Sequence, residues 1–172
     1  EKPLTSSFLD SKKLFKLAKV NKVKLFVSDV YCYHDKSINR LKRQNIVFRS
    51  KKVRSRNYEF LNRFMYHDIS ILYKFLKKNK LKSLNFIQKR KLIEIKIMFQ
   101  NKVEILFRYN LNTSKKNHYI NNINFLTKND NLNQMINKIL SNKINIKINN
   151  EKALFIVKFL NIIKTKIKNL TK

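Results

Sequence analysis

The sequence predicts a mainly α-helical protein with minor β structure. Apolar residues recur every three or four positions over 69–79, 87–108 and 151–168, which is the spacing of one helix face. Apolar residues make up 43% of the 172 positions and include 13 Phe, enough for a modest core. No run approaches the about 20 apolar residues of a membrane-spanning helix. We therefore expect one folded, non-membrane chain.

The N-terminal part of the chain predicts one helix and one strand. Residues 6–20 have amphipathic helical spacing, with Phe8 and Phe15 on one face. Val23, Leu25 and Val27 then alternate with Lys24, Phe26 and Ser28, which predicts a strand.

The middle of the chain predicts two helices. Asp68 is placed to cap a helix over 69–79, because its carboxylate can accept hydrogen bonds from the first backbone N–H groups. A longer helix is predicted over 87–108. Its apolar stripe, which we expect in the core, consists of Leu92, Ile95, Phe99, Val103 and Leu106.

The C-terminal part mixes loop, helix and strand patterns. Residues 110–130 are rich in Asn, Lys and Ser and predict a loop or an extension that lies along RNA. A helix is predicted over 131–140, a strand over the strictly alternating 143–149, and a final helix over 151–168.

The charge predicts a polyanionic partner. Lys and Arg total 40 against 10 Asp and Glu, for a net charge of +30. A compact chain this basic repels itself, and phosphate contacts that release counterions would offset the repulsion. Six of the eight arginines lie between positions 40 and 63, and Arg suits bidentate phosphate contacts. The predicted RNA-binding residues of this basic run are Arg40, Lys42, Arg43, Arg49, Lys51, Lys52, Arg54 and Arg56.

The composition disfavours catalysis, metals and nucleotide cofactors. The chain has no Gly, so it cannot build a glycine-rich phosphate loop, and turns with positive φ must use Asn or Asp. The single cysteine, Cys32, excludes an internal disulfide and a Cys-based zinc site. Asp29 and Asp35 flank Cys32 and His34, which invites a nucleophilic interpretation, but no orienting or oxyanion element accompanies them. The three His are scattered, and we expect them at the surface. We predict no catalytic residue, no metal and no cofactor.

Residues 49–109 resemble the bacterial-type small-subunit ribosomal protein S-eighteen family. The family's basic run, first helix, linker and second helix find counterparts here in the same order. The matching pieces are Arg49-Ser-Lys-Lys-Val53, Tyr66-His-Asp-Ile-Ser-Ile-Leu-Tyr-Lys-Phe-Leu76, Lys80-Leu-Lys-Ser83, Gln88-Lys-Arg-Lys-Leu-Ile93 and Ile105-Leu106. This chain departs from the family by a shorter middle linker, by lacking the paired cysteines of some members, and by lacking the final proline.

The resemblance implies a small helical RNA-binding core over 49–109. Residues 1–48 and 110–172 would be basic N- and C-terminal extensions. The family implies contact with the central domain of small-subunit rRNA and with a protein of the S-six family. It also implies that Lys89, Arg90 and Lys91 bind RNA at the start of the second helix, and that Tyr66, Leu72, Phe75 and Leu92 form a core or protein-facing surface.

These observations favour a structural constituent of an organellar small ribosomal subunit, in the first place mitochondrial and alternatively of a plastid-type organelle. Such a protein is not an enzyme and takes no small-molecule substrate. The alternative is a lineage-specific organellar RNA-binding protein unrelated to S-eighteen. Two other classes are an RNA-processing enzyme, for which the ten scattered acids offer no metal-binding cluster, and a basic protein on an anionic membrane surface.

Overall fold

The computed structural model describes residues 3–29, 41–52, 61–126 and 131–170. The chain divides into two compact units, each built from separate stretches of sequence. Unit 1 draws on 1–34, 57–73 and 129–164, and unit 2 draws on 35–56, 74–128 and 165–172.

Unit 1 is helical in its described parts. It contains α1 (Phe8–Val20), a π-helical turn (Leu61–Met65) that runs into α2 (Tyr66–Lys78), α3 (Asn131–Leu140) and α4 (Ile146–Leu170). The last residues of α2 and α4 belong to unit 2. The buried apolar residues of unit 1 are Val27, Leu61, Phe64, Met65, Tyr66, Ile69, Leu72, Met135, Ala153, Ile156, Val157, Phe159, Leu160 and Ile163.

Helix α1 begins and ends as its sequence predicts. The Ser7 side chain accepts a hydrogen bond from the backbone N–H of Asp10 at 3.3 Å, an N-cap with an acid in the first turn. At the other end Lys22 has a φ of 55°, and the N–H of Val23 donates to the carbonyl of Ala18 at 2.9 Å. The helix expected over 6–20 is confirmed.

Unit 2 is built on a six-stranded mixed sheet. Its strands are β1 (Gln44–Ser50), β2 (Leu81–Lys89), β3 (Leu92–Phe99), β4 (Glu104–Asn110), β5 (Asn117–Ile120) and β6 (Ile123–Asn124). Their spatial order is β2-β3-β4-β1-β5-β6. Strands β1 and β4 are parallel, and every other neighbouring pair is antiparallel.

Strand β3 shows why this sheet forms. Ile93, Ile95 and Ile97 are fully or almost fully buried, and the residues between them are exposed or half-buried. β-Branched side chains at every second position suit a sheet with one covered face. On that face the ring of Phe99 packs edge-on against Phe75 of α2, with centroids 5.3 Å apart.

The expectation of a mainly α-helical protein is therefore wrong. The segment 87–108 consists instead of the end of β2, all of β3 and most of β4, with the turns between them. The buried residues alternate along β3 and β4, so only Ile95 and Phe99 of the supposed stripe are buried. The loop predicted over 110–130 contains β5 and β6.

Two smaller β predictions are also wrong. Residues 23–27 form no regular strand, and the segment 143–149 contains the start of α4 at Ile146. The helices expected over 131–140 and 151–168 are confirmed. Asp68 does not cap α2 from outside but is buried inside its first turn.

The described turns with positive φ use Lys and Arg as well as Asn, so the expectation that such turns must use Asn or Asp is wrong. Positive φ occurs in the described residues at Asn121 and Asn142, as predicted, and also at Lys22, Arg90 and Lys102. Each such residue carries a Cβ in a conformation that glycine adopts without steric cost.

The segment boundaries predicted at residues 48 and 109 remain a prediction. They divide the chain into consecutive stretches, whereas each compact unit combines several stretches that are in contact. Within the described ranges no helix is long and apolar enough to cross a membrane.

Candidate active site

A buried carboxylate organises a polar cluster in unit 1. Asp29 is the last described residue of the irregular segment 23–29, and its side chain is 5% exposed. Its Oδ2 accepts a hydrogen bond from the hydroxyl of Ser70 and lies 3.3 Å from the Nζ of Lys152. Its Oδ1 lies 3.7 Å from Nδ1 of His67, within ion-pair range but beyond hydrogen-bond length.

Two helices bring the partners to this carboxylate. His67 and Ser70 lie three residues apart on α2, so they share one helix face. Lys152 comes from α4, where its ammonium also lies 5.9 Å from the ring centroid of Tyr73. The His67 and Lys152 side chains are 12% and 16% exposed, so the cluster is nearly but not fully closed to solvent.

The arrangement suits proton transfer. A carboxylate beside one ring nitrogen orients an imidazole and stabilises the imidazolium that forms when the other nitrogen takes a proton. Here the carboxylate is in turn fixed by a hydroxyl and an ammonium on its second oxygen. Low exposure strengthens each of these electrostatic interactions. The described residues hold no group of three or more His, Cys, Asp or Glu that could bind a metal ion.

The sequence patterns do not predict this site. Asp29 was considered only as a neighbour of Cys32 and His34, which lie outside the described residues, and His67 was expected at the surface. The three segments that form the cluster are far apart in sequence, so no motif spacing connects them. The expected surface position is also wrong for His118, which is buried in β5.

The predicted RNA-binding residues fall into three groups. Six are at least partly exposed beside the ends of strands: Lys42, Arg43, Lys51, Lys52, Lys89 and Lys91. Arg90 is exposed as well, in the turn between β2 and β3. Arg49 is buried on β1. Arg40, Arg54 and Arg56 lie outside the described residues. No observation tests whether any of these side chains binds phosphate, and that assignment stays a prediction.

No protein-family model and no curated protein matches the sequence. Solved structures do match it. UDP-N-acetylglucosamine 3-dehydrogenase GnnA from Acidithiobacillus ferrooxidans is 10% identical, with a TM-score of 0.70 over 95% of this chain and 68% of GnnA. The 3-ketoreductase KijD10 from Actinomadura kijaniata, solved with NADP, is 12% identical, with a TM-score of 0.68 over 95% of this chain and 67% of KijD10. GenD2 from gentamicin A biosynthesis, solved with NAD, is 10% identical, with a TM-score of 0.68 over 93% of this chain and 66% of GenD2.

These matches show the fold, which is shared with dehydrogenases and ketoreductases. The chain spans about two thirds of the length of the matched structures. The resemblance to ribosomal protein S-eighteen is wrong, since the segment assigned to its second helix is a β-meander within this fold.

The functional expectations that rested on a ribosomal protein are overturned by the same finding. They are the structural role in a small ribosomal subunit, the alternative of an unrelated organellar RNA-binding protein, the rRNA and S-six-like partners, and the exclusion of an enzyme and of a small-molecule substrate. An organellar location is untested and stays a prediction.

Proposed function

We propose that this chain is the sugar-binding, acid–base part of an oxidoreductase that interconverts a hydroxyl and a ketone on a sugar. The observation that carries the proposal is the buried cluster of Asp29, His67, Ser70 and Lys152 in this fold. Two of the matched structures are named for chemistry at a 3-position: the UDP-N-acetylglucosamine 3-dehydrogenase and the 3-ketoreductase.

The reaction needs a base next to the substrate hydroxyl. Oxidising a secondary alcohol removes a hydride from carbon and a proton from oxygen, and a positioned base contributes about 10²–10⁴-fold to such a step. His67 is the base in our proposal. Its Nδ1 faces Asp29, and Nε2 is the ring nitrogen to which we assign the hydroxyl proton. In the reverse direction the same nitrogen returns the proton to the forming alkoxide.

Ser70 and Lys152 keep Asp29 ready for this role. Both act on Oδ2, so Oδ1 stays directed at the imidazole. The ammonium of Lys152 also offsets the cost of burying a carboxylate, which would otherwise be several kcal/mol. The cluster therefore carries a fixed negative charge beside the nitrogen where positive charge develops.

A redox dinucleotide would supply the hydride acceptor in such a reaction, as NADP and NAD are present in the matched KijD10 and GenD2 structures. The residues of this chain do not fit a dinucleotide loop. Its 172 positions contain no Gly, and the described sheet has a single parallel pair, β1 and β4. We therefore assign sugar binding and proton transfer to this chain, and we assign no step to the cofactor.

Titration with UDP-N-acetylglucosamine tests the proposal. We expect saturable binding with a Kd of about 1 mM or tighter, and shifts in the NMR signals of the His67 ring and the Lys152 ammonium group. Asp29→Asn should change these shifts, whereas Asp10→Asn, which alters an exposed carboxylate on α1 in the same unit, should not. The proposal fails if neither this sugar nucleotide nor simple aldoses perturb the cluster.

A further inference from the structure

The segment that carries Asp29 has an unusual attachment. Residues 23–29 have no regular secondary structure, and no described strand pairs with them. The backbone of Val27 is instead held by the side chain of Asn149. The N–H of Val27 donates to Oδ1 of Asn149 at 2.9 Å, and Nδ2 of Asn149 donates to the carbonyl of Val27 at 3.0 Å. One carboxamide thus supplies the pair of hydrogen bonds that a residue of a neighbouring strand would supply.

The same helix face also holds the carboxylate. Asn149 and Lys152 lie three residues apart on α4, which places them on one side of the helix. Asn149 fixes the backbone two residues before Asp29, and Lys152 contacts the Asp29 carboxylate at 3.3 Å. Helix α4 therefore sets both the path of the segment and the direction of its last described side chain.

We infer that Asn149 is a positioning residue whose carboxamide keeps Asp29 beside the imidazole of His67. The importance of this for a reaction rests on the proposed function, but the positioning itself does not. The Asp29 to His67 distance is 3.7 Å, so a small shift of the segment would take the pair out of ion-pair range. Only a side chain with a donor and an acceptor in one plane can make both bonds to Val27. An Asp at position 149 would lose the donor and place an oxygen against the Val27 carbonyl.

Helix α4 offers a matched control. The Oδ1 of Asn145 accepts from the N–H of Ile148 at 3.0 Å, as an N-cap of the same helix. Asn145 is exposed, and its recorded hydrogen bonds are with residues of its own helix. Asn145→Ala should lower helix stability without touching the segment 23–29. Substitutions at Asn145 and at Asn149 should therefore both lower stability, so a loss of stability does not distinguish the two positions.

The experiment compares Asn149→Ala, Asn149→Asp and Asn145→Ala in the full chain. For each variant we would measure the urea midpoint, the ring ¹H–¹⁵N signals of His67, and binding of UDP-N-acetylglucosamine. We expect all three urea midpoints to fall, but the His67 signals to move only in the two Asn149 variants. In those two variants the His67 shifts caused by the sugar nucleotide should also be smaller than in the wild-type chain, whereas Asn145→Ala should leave them unchanged.

The outcomes separate the two proposals. If the His67 signals in both Asn149 variants match those in Asn145→Ala, Asn149 is a structural residue and the inference is overturned. If the signals move but the wild-type chain binds no sugar, the positioning role stands and the proposed function fails. If Asn149→Ala does not fold, Asn149→Asp decides, because it retains an acceptor for the Val27 N–H.

Discussion

Arg49 on β1 and His118 on β5 are direct cross-strand neighbours, and Nη2 of Arg49 lies 3.0 Å from both ring nitrogens of His118. Arg49 is 8% exposed and His118 is 1% exposed. Because a guanidinium can only donate, a ring nitrogen of His118 must accept the hydrogen bond. An arginine that the sequence assigned to a phosphate contact is thus part of the packed face of the sheet.

Removing the His118 ring should destabilise unit 2 strongly. His118→Ala deletes an acceptor for a buried guanidinium and the packing of the ring against Phe125, whose centroid is 5.6 Å away. We expect a loss of about 2–4 kcal/mol in the free energy of unfolding by urea. His118→Gln keeps an amide acceptor and should cost less than half as much. Equal losses for the two variants would show that the ring packing matters and the acceptor does not.

The turn between β2 and β3 provides a test of backbone strain. Arg90 has a φ of 52°, whereas Lys91, the other residue of the turn, does not have positive φ. Arg90→Gly relieves about 1 kcal/mol of steric cost, partly offset by the greater freedom of glycine in the unfolded chain. We expect it to be neutral or stabilising in urea unfolding. Lys91→Gly gives the unfolded chain the same extra freedom but relieves no steric cost, so it should lower the free energy of unfolding. The reverse ranking would contradict the turn geometry.

An adjacent pair on β3 distinguishes the sheet from the helix that the sequence predicted. The helical stripe places Leu92 in the core and leaves out Ile93, but the structure buries Ile93 and exposes Leu92. We therefore expect Ile93→Ala to cost about 2–5 kcal/mol. Leu92→Ala should cost much less, since it leaves no buried cavity. Thermal or urea unfolding of the two variants would reveal the difference, and a larger loss for Leu92→Ala would support the helix.

The sequence predicted the helices well because each has its own local signals. Ser7 caps α1, and α3 and the part of α4 from Glu151 onward carry clear apolar stripes, whereas the alternation over 143–149 concealed the first turn of α4. The strands were not predicted, for two local reasons. Their apolar residues are dense enough to fit a helical spacing too, and the turns that separate them contain Arg, Lys and Asn instead of the Gly that normally marks a hairpin.

The candidate site could not be predicted from local patterns. Asp29, His67 and Lys152 come from three segments whose proximity depends on the tertiary fold. The net charge of +30 pointed instead to the exposed lysines and arginines, which outnumber the few buried polar groups. A charge count describes the average surface, whereas the candidate site consists of the few polar side chains that are buried.

Substitutions of Asp29 and Lys152 should have strongly non-additive effects on the free energy of unfolding. Breaking a buried pair by removing one partner costs about 3–5 kcal/mol, because it leaves an uncompensated charge. We expect losses near that size in urea unfolding for Asp29→Asn and for Lys152→Met. The double variant should lose about 1–3 kcal/mol less than the sum, because neither charge is then left alone.

The sheet provides the control for this cycle. Lys96 and Glu104 form a more exposed pair with Nζ and Oε2 2.9 Å apart, and such a pair typically couples by about 1 kcal/mol or less. Lys96→Met and Glu104→Gln should therefore be nearly additive. If the Asp29 and Lys152 variants were equally additive, the carboxylate would not depend on the ammonium of α4. The proton-transfer cluster would then have to rest on His67 and Ser70 of α2 alone.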